Sequence, residues 1–283
     1  MERMRIGIVG LGLIGGSMAK AIKANTKHIV AGYEIDAQVL RRAQAEGAID
    51  CIGSDETFRT LDLLLVALYP GQTVDFVQKK AGLLRKGCTV IDLCGVKRYV
   101  CDALGPFCAE RGVFFIGGHP MAGREFSGYD YARAELFQGA SMLLTPAGAG
   151  GKEQAEAYQP FFSSLGFGKV VITSAENHDR MIAFTSQLAH VVSNAYVKSP
   201  EAEKHDGYSA GSYKDLTRVA RLNEGMWSEL FLCNREALLD ELDCIIGHLG
   251  EYRGALARED RTELRRLLKE GSDRKKRIDR AGE

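Results

Sequence analysis

His119 is the residue of this sequence whose type and setting best suit chemistry. It stands in VFFIGGHPMAGRE, residues 113–125, and an imidazole with an ordinary pKa near ~6.5 can take up or release a proton at neutral pH. The apolar run 113–116 reads as a short buried strand. Gly117 and Gly118 are expected to end it, because paired glycines release the backbone into conformations other residues avoid. Pro120 then biases the histidine towards extended backbone. The ring is thereby expected at the carboxyl end of a strand, the edge where ligands sit in open α/β sheets. On the tripeptide alone, a loop histidine satisfied by its neighbours is an equal reading.

The residues that shift that balance lie upstream. Residues 5–9 form an apolar strand, and GLGLIGGS follows, with Gly10, Gly12 and Gly15 in the GxGxxG spacing, Leu13 and Ile14 between the last two, and SMAKAIKA continuing as a helix. This is the pattern of a dinucleotide-binding turn. Gly10 permits the tight turn, Gly12 the approach of a pyrophosphate, and Gly15 close packing of helix on strand. The helix N-terminus supplies free N–H groups for the phosphates. Glu34 ends a second apolar strand, 28–33, about 20 residues on, where such motifs carry an acid. Its carboxylate could accept the adenosine ribose hydroxyls and repel a 2′-phosphate. With Asp36 adding charge and no arginine directly after Glu34, NAD is expected rather than NADP. The alternative for Glu34 is a solvated loop carboxylate.

The elements that must position these groups alternate. Helix 37–46, strand 61–67, a helix from about 73, strand 89–92, helix 97–109 and the strand before His119 predict a parallel, doubly wound sheet. Further elements follow at 141–145, 153–165 and 169–173. From about residue 174 only helices are predicted. One starts near 175 and carries Met181, Ile182, Leu188, Val192, Ala195 and Tyr196 on one face. Ser186 and His190, four apart, share a face and could reach one ligand together. Two more helices are expected at roughly 226–247 and 261–279. The fold class is therefore α/β, with a Rossmann-type domain over 1–173 and an all-helical domain over 174–283. Apolar faces such as LLDELDCIIGHL are more than one copy readily covers, and a homodimer through these helices is expected.

Composition narrows the function classes. The chain has 283 residues, 45% hydrophobic and 26% charged, with 37 basic and 37 acidic side chains, so charge gives no reason to expect nucleic acid. The opening MERMR and its apolar sequel imitate a signal peptide, but the glycines fit the dinucleotide turn better. No apolar run approaches the ~18 residues of a membrane span. Seven cysteines without paired or metal-ligand spacing read as reduced thiols of a cytoplasmic protein, and no metal site is expected. Cys94, Cys101 and Cys108, seven apart, predict one buried helical stripe.

GLGLIGGS, DLCGVK (92–97), GHPMAGRE, NHD (177–179), SQLAH (186–190), and GSYKDLTR with the later MW (211–218 and 226–227) stand in this order. Together they resemble the prephenate/arogenate dehydrogenase family of tyrosine biosynthesis, and the likeness runs from Arg5 to about Arg277. The resemblance implies a Rossmann-type domain followed by a helical dimerisation domain, with the active site in the cleft between. It also implies oxidative decarboxylation of a cyclohexadienol with NAD or NADP. Prephenate is the expected substrate and arogenate the alternative, the two differing in a keto against an amino group. His119 matches the family's catalytic histidine, and Ser186, His190 and Arg218 its substrate-binding residues. Glu125 matches an acid near the site mouth, while Gly211 and Trp227 match positions at the site and its supporting helices.

The departures from the family pattern are specific. Gly95, placed among the cofactor-binding residues, replaces a serine found in many members. SQLAH replaces SHLPH. Arg124 stands where a small residue is common; it adds a second charge for the substrate or pairs with Glu125. For a dianionic substrate Arg218 offers a planar fork for a carboxylate, against the alternative of a surface arginine. Trp227 reads as core. From another class, a catalytically silent NAD-binding regulator would keep the glycine turn without turnover.

Overall fold

A computed structural model of the chain describes residues 3–123, 126–148 and 150–282. It divides into two compact units, Met1–Arg235 and Glu236–Glu283.

The first unit opens with β1 (Arg5–Val9), α1 (Leu13–Asn25), β2 (Ile29–Tyr33), α2 (Ala37–Ala45), β3 (Cys51–Ile52), α3 (Asp55–Phe58), β4 (Leu63–Val66), α4 (Pro70–Lys80), β5 (Thr89–Asp92), α5 (Arg98–Ala109) and β6 (Phe114–Pro120). β7 (Ser141–Ala147), α6 (Gly151–Ser164) and β8 (Lys169–Ile172) complete one sheet of order β3-β2-β1-β4-β5-β6-β7-β8. The order reverses between β1 and β4, and in such sheets the ligand crevice lies at the carboxyl ends beside that switch. β4 and β5 are buried along their whole length, as expected of strands covered on both faces. Period-two alternation sends Leu63 and Leu65 to one core with Met18, Ile22 and Phe162, and Leu64 and Val66 to the other with Val77, Leu104 and Phe115.

Local chemistry sets several helix starts. Asp36 accepts from the backbone N–H groups of Gln38 and Val39, Ser54 and Thr57 form a reciprocal capping box, and Ser174 accepts from Asn177 N. Each satisfies donors a helix start leaves unpaired.

The sheet departs from the sequence reading in two respects. It is parallel only as far as β6; β7 runs antiparallel to it, pairing His119 with Leu143. Among the described residues between them there is no crossover helix, and a parallel return needs one. Gly117 and Gly118 do not end the strand, which continues through Pro120, and neither has a positive φ. They are glycines for want of room: a Cβ on Gly117 would lie 2.1 Å from Thr145 Oγ1, and one on Gly118 2.5 Å from the Asp92 carbonyl oxygen. Short β3 and α3 were not expected. Cys101 and Cys108 are buried on α5, whereas Cys94, also buried, precedes it.

Beyond β8 come α7 (Ala175–Ile182), a π-helical stretch Ala183–Leu188, and α8 (Ala189–Tyr196), so the long helix expected from 175 is interrupted by one wider turn. α9 (Gly211–Thr217) follows, and the helix expected over 226–247 is two, α10 (Glu224–Cys233) and α11 (Arg235–Ala257). Asn234 makes the break: its side-chain amide donates to the Asp179 carbonyl and to Gln187 Oε1, bonds no sequence periodicity carries. In the second unit α11 turns into α12 (Arg261–Gly282), where Asp260 accepts from Glu263 N. Ile246, Leu249, Leu256, Leu268 and Ile278 are exposed along these helices.

Candidate active site

The turn after β1 is built largely from backbone. Gly10 has φ +79°, a left-handed conformation that favours glycine, and its Cβ would lie 2.5 Å from the Ala67 carbonyl oxygen. A Cβ on Gly15 would lie 1.9 Å from the Gly10 carbonyl oxygen, so helix and turn touch through bare backbone. A Cβ on Gly12 would meet nothing within 4 Å. α1 begins there with no side-chain cap and no acid in its first turn, which leaves the N–H groups around Leu13 and Ile14 and the positive helix end open to an anion. Glu34 folds back over this turn. Its Oε2 accepts from Leu11 N at 2.8 Å, and Oε1 accepts from Ile35 N at 2.7 Å and Asp36 N at 3.2 Å. Of roughly four lone-pair positions on a carboxylate, the backbone takes three.

β6 is parallel to β1, with β4 and β5 between. The carboxyl end of β6 therefore shares an edge with the glycine turn, roughly 14 Å away at ordinary strand spacing. The loop after β6 also reaches α1: Arg133 N donates to Ser17 Oγ at 3.0 Å and Lys20 Nζ to the Ala132 carbonyl at 3.2 Å.

His119 stands at this edge, partly buried. Its Nδ1 lies 2.9 Å from Nε2 of His178 on α7, and His178 Nδ1 lies 2.7 Å from Asp179 Oδ1. Asp179 also accepts from the backbone N–H groups of Lys97 (2.7 Å) and Arg98 (2.9 Å), so one buried carboxylate holds the start of α5 and the histidine pair. Fully buried Lys97 pairs with Asp92 and donates to the Gly118 carbonyl at 2.6 Å. Burial works against its charge, but the Asp92 carboxylate holds its pKa above the ordinary value. Burial, then the nearby His178 and Lys97, push His119 well below the usual histidine pKa. Burial likewise lowers His178, against the pull of its Asp179 bond. Burial thus favours the neutral form of both rings.

A second cluster gathers residues from α8 to α10. His190 Nδ1 donates to the Ser186 carbonyl at 2.8 Å, and the ring lies 4.0 Å from the Trp227 ring, centroid to centroid. Burial lowers the His190 pKa, and nearby Arg218 adds to the fall. Arg218 is exposed at the end of α9, and Gly211 begins that helix. Trp227 is half-buried rather than core and touches Phe231 as well. Ser186 lies in the π-helical stretch, a feature often found at functional sites.

The structure thus brings Ser186, His190, Arg218 and Trp227 together. His119 joins His178 instead; among the described residues it shares no hydrogen bond or ring contact with His190. Gly95 lies in the turn after β5, where a Cβ would meet only the Leu230 methyl groups, at 3.5 and 3.8 Å. Gln187 is buried, donating to the Leu230 carbonyl and accepting from Asn234. Arg124 and Glu125 lie outside the described residues. His178 and Asp179 were given no role from sequence, although NHD is a compact motif in a fixed place. Among the described residues no group of three or more His, Cys, Asp or Glu side chains could hold a metal.

Two family models match the chain in succession: the prephenate dehydrogenase nucleotide-binding domain over residues 18–172 and the prephenate dehydrogenase dimerization domain over 174–270. The chain belongs to the prephenate dehydrogenase family. Among family relatives, the cyclohexadienyl dehydrogenase of Zymomonas mobilis is 34% identical over 94% of this chain and 92% of its own length. The crystal structure of prephenate dehydrogenase from A. aeolicus, in complex with hydroxyphenyl propionate and NAD+, superposes with a TM-score of 0.86 at 29% identity, covering 98% of this chain and 99% of that one. Synechocystis arogenate dehydrogenase gives 0.82 at 26% identity, covering 96% and 99%.

Proposed function

We propose that the chain catalyses the NAD-dependent oxidative decarboxylation of prephenate to 4-hydroxyphenylpyruvate. The observation that carries this reading is His119 on the same sheet edge as an open glycine turn, in a chain that the family models match over residues 18–172 and 174–270. Gly10, Gly12, Leu13, Ile14 and Gly15 would hold the cofactor diphosphate and Glu34 the adenosine ribose, with Gly95 on the adjoining turn. The space above Gly12 and the uncapped helix fit that group. When bound, NAD supplies the hydride acceptor.

The remaining work falls to side chains. His119 accepts the proton of the ring hydroxyl as that carbon loses hydride, a role that needs the unprotonated ring that burial favours. Carbon dioxide leaves as the ring becomes aromatic. Arg218 binds a substrate carboxylate through its planar fork, and Ser186 and His190 contact the other end of the substrate. The functional boundary falls at 173/174, between nucleotide-binding and substrate-binding parts. Exposed apolar residues of α11 and α12 pair in a homodimer. Seven free thiols fit a cytoplasmic enzyme, and no described helix is long and apolar enough to cross a membrane.

The test is reduced-nicotinamide absorbance with prephenate or arogenate, each with NAD and with NADP. Turnover with prephenate and NAD is expected. Preference for arogenate would reassign the substrate, and preference for NADP would overturn the role of Glu34. Silence in all four, from folded protein that binds NAD, would favour a redox-sensing regulator.

A further inference from the structure

Two buried groups, His178 and Asp179, stand in line behind His119, and their hydrogen bonds constrain where its protons sit. Asp179 receives two backbone N–H groups, from Lys97 and Arg98, and an ionised carboxylate only accepts. The proton between Asp179 Oδ1 and His178 Nδ1, 2.7 Å apart, therefore belongs to His178. A neutral His178 then has only a lone pair on Nε2. The 2.9 Å contact with His119 Nδ1 is a hydrogen bond only if His119 carries its proton on Nδ1. That leaves His119 Nε2 bare. Both His178 and Asp179 are 1% exposed, so water does not compete for these bonds.

We propose that His178 and Asp179 are positioning residues that hold His119 in the tautomer with a free Nε2 and stabilise the cation formed when that nitrogen takes the substrate proton. The inference rests on the reading of His119 as proton acceptor. In the step, the substrate O–H bond breaks and an Nε2–H bond forms. The His119 Nδ1–H stays in its bond to His178 Nε2, and the new positive charge is balanced through His178 by the Asp179 carboxylate. The logic is that of a base whose second nitrogen fixes the tautomer of its first. A histidine free to turn over would present Nδ1 or a protonated Nε2 part of the time.

The groups facing His119 are Lys97, paired with Asp92, from the β5–α5 turn, and His178 with Asp179 from α7; its sheet neighbour Leu143 is apolar. Neither variant below alters the buried Lys97–Asp92 pair. His178→Phe removes the partner of Nδ1. His178→Gln puts an amide near the former Nε2, where its oxygen can accept from His119, but severs the link to Asp179.

Kinetics of both variants, with 15N imidazole spectra of the wild-type protein, test the proposal. The expected spectrum shows His119 protonated on Nδ1. His178→Phe should lower kcat on the order of ten- to a hundredfold with KM for substrate and NAD within about twofold, and His178→Gln should recover part of the loss. An Nε2-protonated His119 in the spectrum would overturn the proposal whatever the kinetics. Unchanged kcat in His178→Phe would also overturn it, as would equal losses in both variants with raised KM, the mark of a packing role. His119→Asn separates the two readings. If it retains turnover, the proton-acceptor reading fails; if it is inactive while both His178 variants keep wild-type kcat, only the relay fails.

Discussion

In the proposed site, the turn after β1 and the edge of β6 work by opposite means. At the turn, side chains are missing: Gly10 adopts a left-handed backbone, Gly15 touches the Gly10 carbonyl, and Gly12 leaves open space over the helix end. At β6, side chains from distant segments converge. Asp92 and Lys97 come from one turn and His178 and Asp179 from α7, with Asp179 bonded to the start of α5. A backbone-built site recognises a group common to many ligands, the diphosphate. A side-chain site can set the protonation and orientation of one ring, which is what a particular reaction needs. Gly117 and Gly118 belong to both styles, since their missing side chains make room for Thr145 and the Asp92 backbone.

Substitutions should separate the two regions, and the largest effect is expected on the side-chain side. His119→Asn should lower kcat on the order of a hundredfold or more while NAD affinity stays near wild type, measured by steady-state kinetics and by calorimetry. Arg218→Ala should reduce kcat/KM for the substrate roughly ten- to a hundredfold, the cost of a charge-assisted bond, without touching NAD affinity. Equal weakening of both would show that the regions are not separable. On the backbone side, Glu34→Gln should weaken NAD binding about tenfold and narrow the preference over NADP, with kcat at saturating NAD preserved.

The smallest effect is on stability. Burial lowers the pKa of His28, His119, His178 and His190 in the folded protein. Below about pH 6.5 the unfolded chain binds more protons than the folded one, so stability is lost as pH falls from there towards the depressed values. A fall in Tm of roughly a few °C between pH 7 and pH 5.5 is expected. His178→Phe should flatten part of that slope, read in the same thermal scans.

The same contrast explains what the sequence made legible. The glycine turn could be read because each of its requirements is local: a strand before, a helix after, an acid at a set distance. His119 could be placed at a strand's carboxyl end for the same reason. The reason given for Gly117 and Gly118 was wrong, because what they avoid are atoms of Thr145 and Asp92, on neighbouring strands. The pairing of His119 with His178 spans 59 positions, and no periodicity encodes it. Asn234 broke a predicted helix because its amide meets Asp179 and Gln187, again a tertiary contact. The π-helical turn at Ser186 likewise left no mark on the apolar spacing.

The central claim is that this chain couples hydride removal to decarboxylation of prephenate. The most direct measurement follows reduced nicotinamide and 4-hydroxyphenylpyruvate together in one reaction of prephenate with NAD. The account predicts equal amounts of both, formed at the same rate. Folded, NAD-binding protein that forms neither, or reduces NAD without forming the aromatic product, would contradict it.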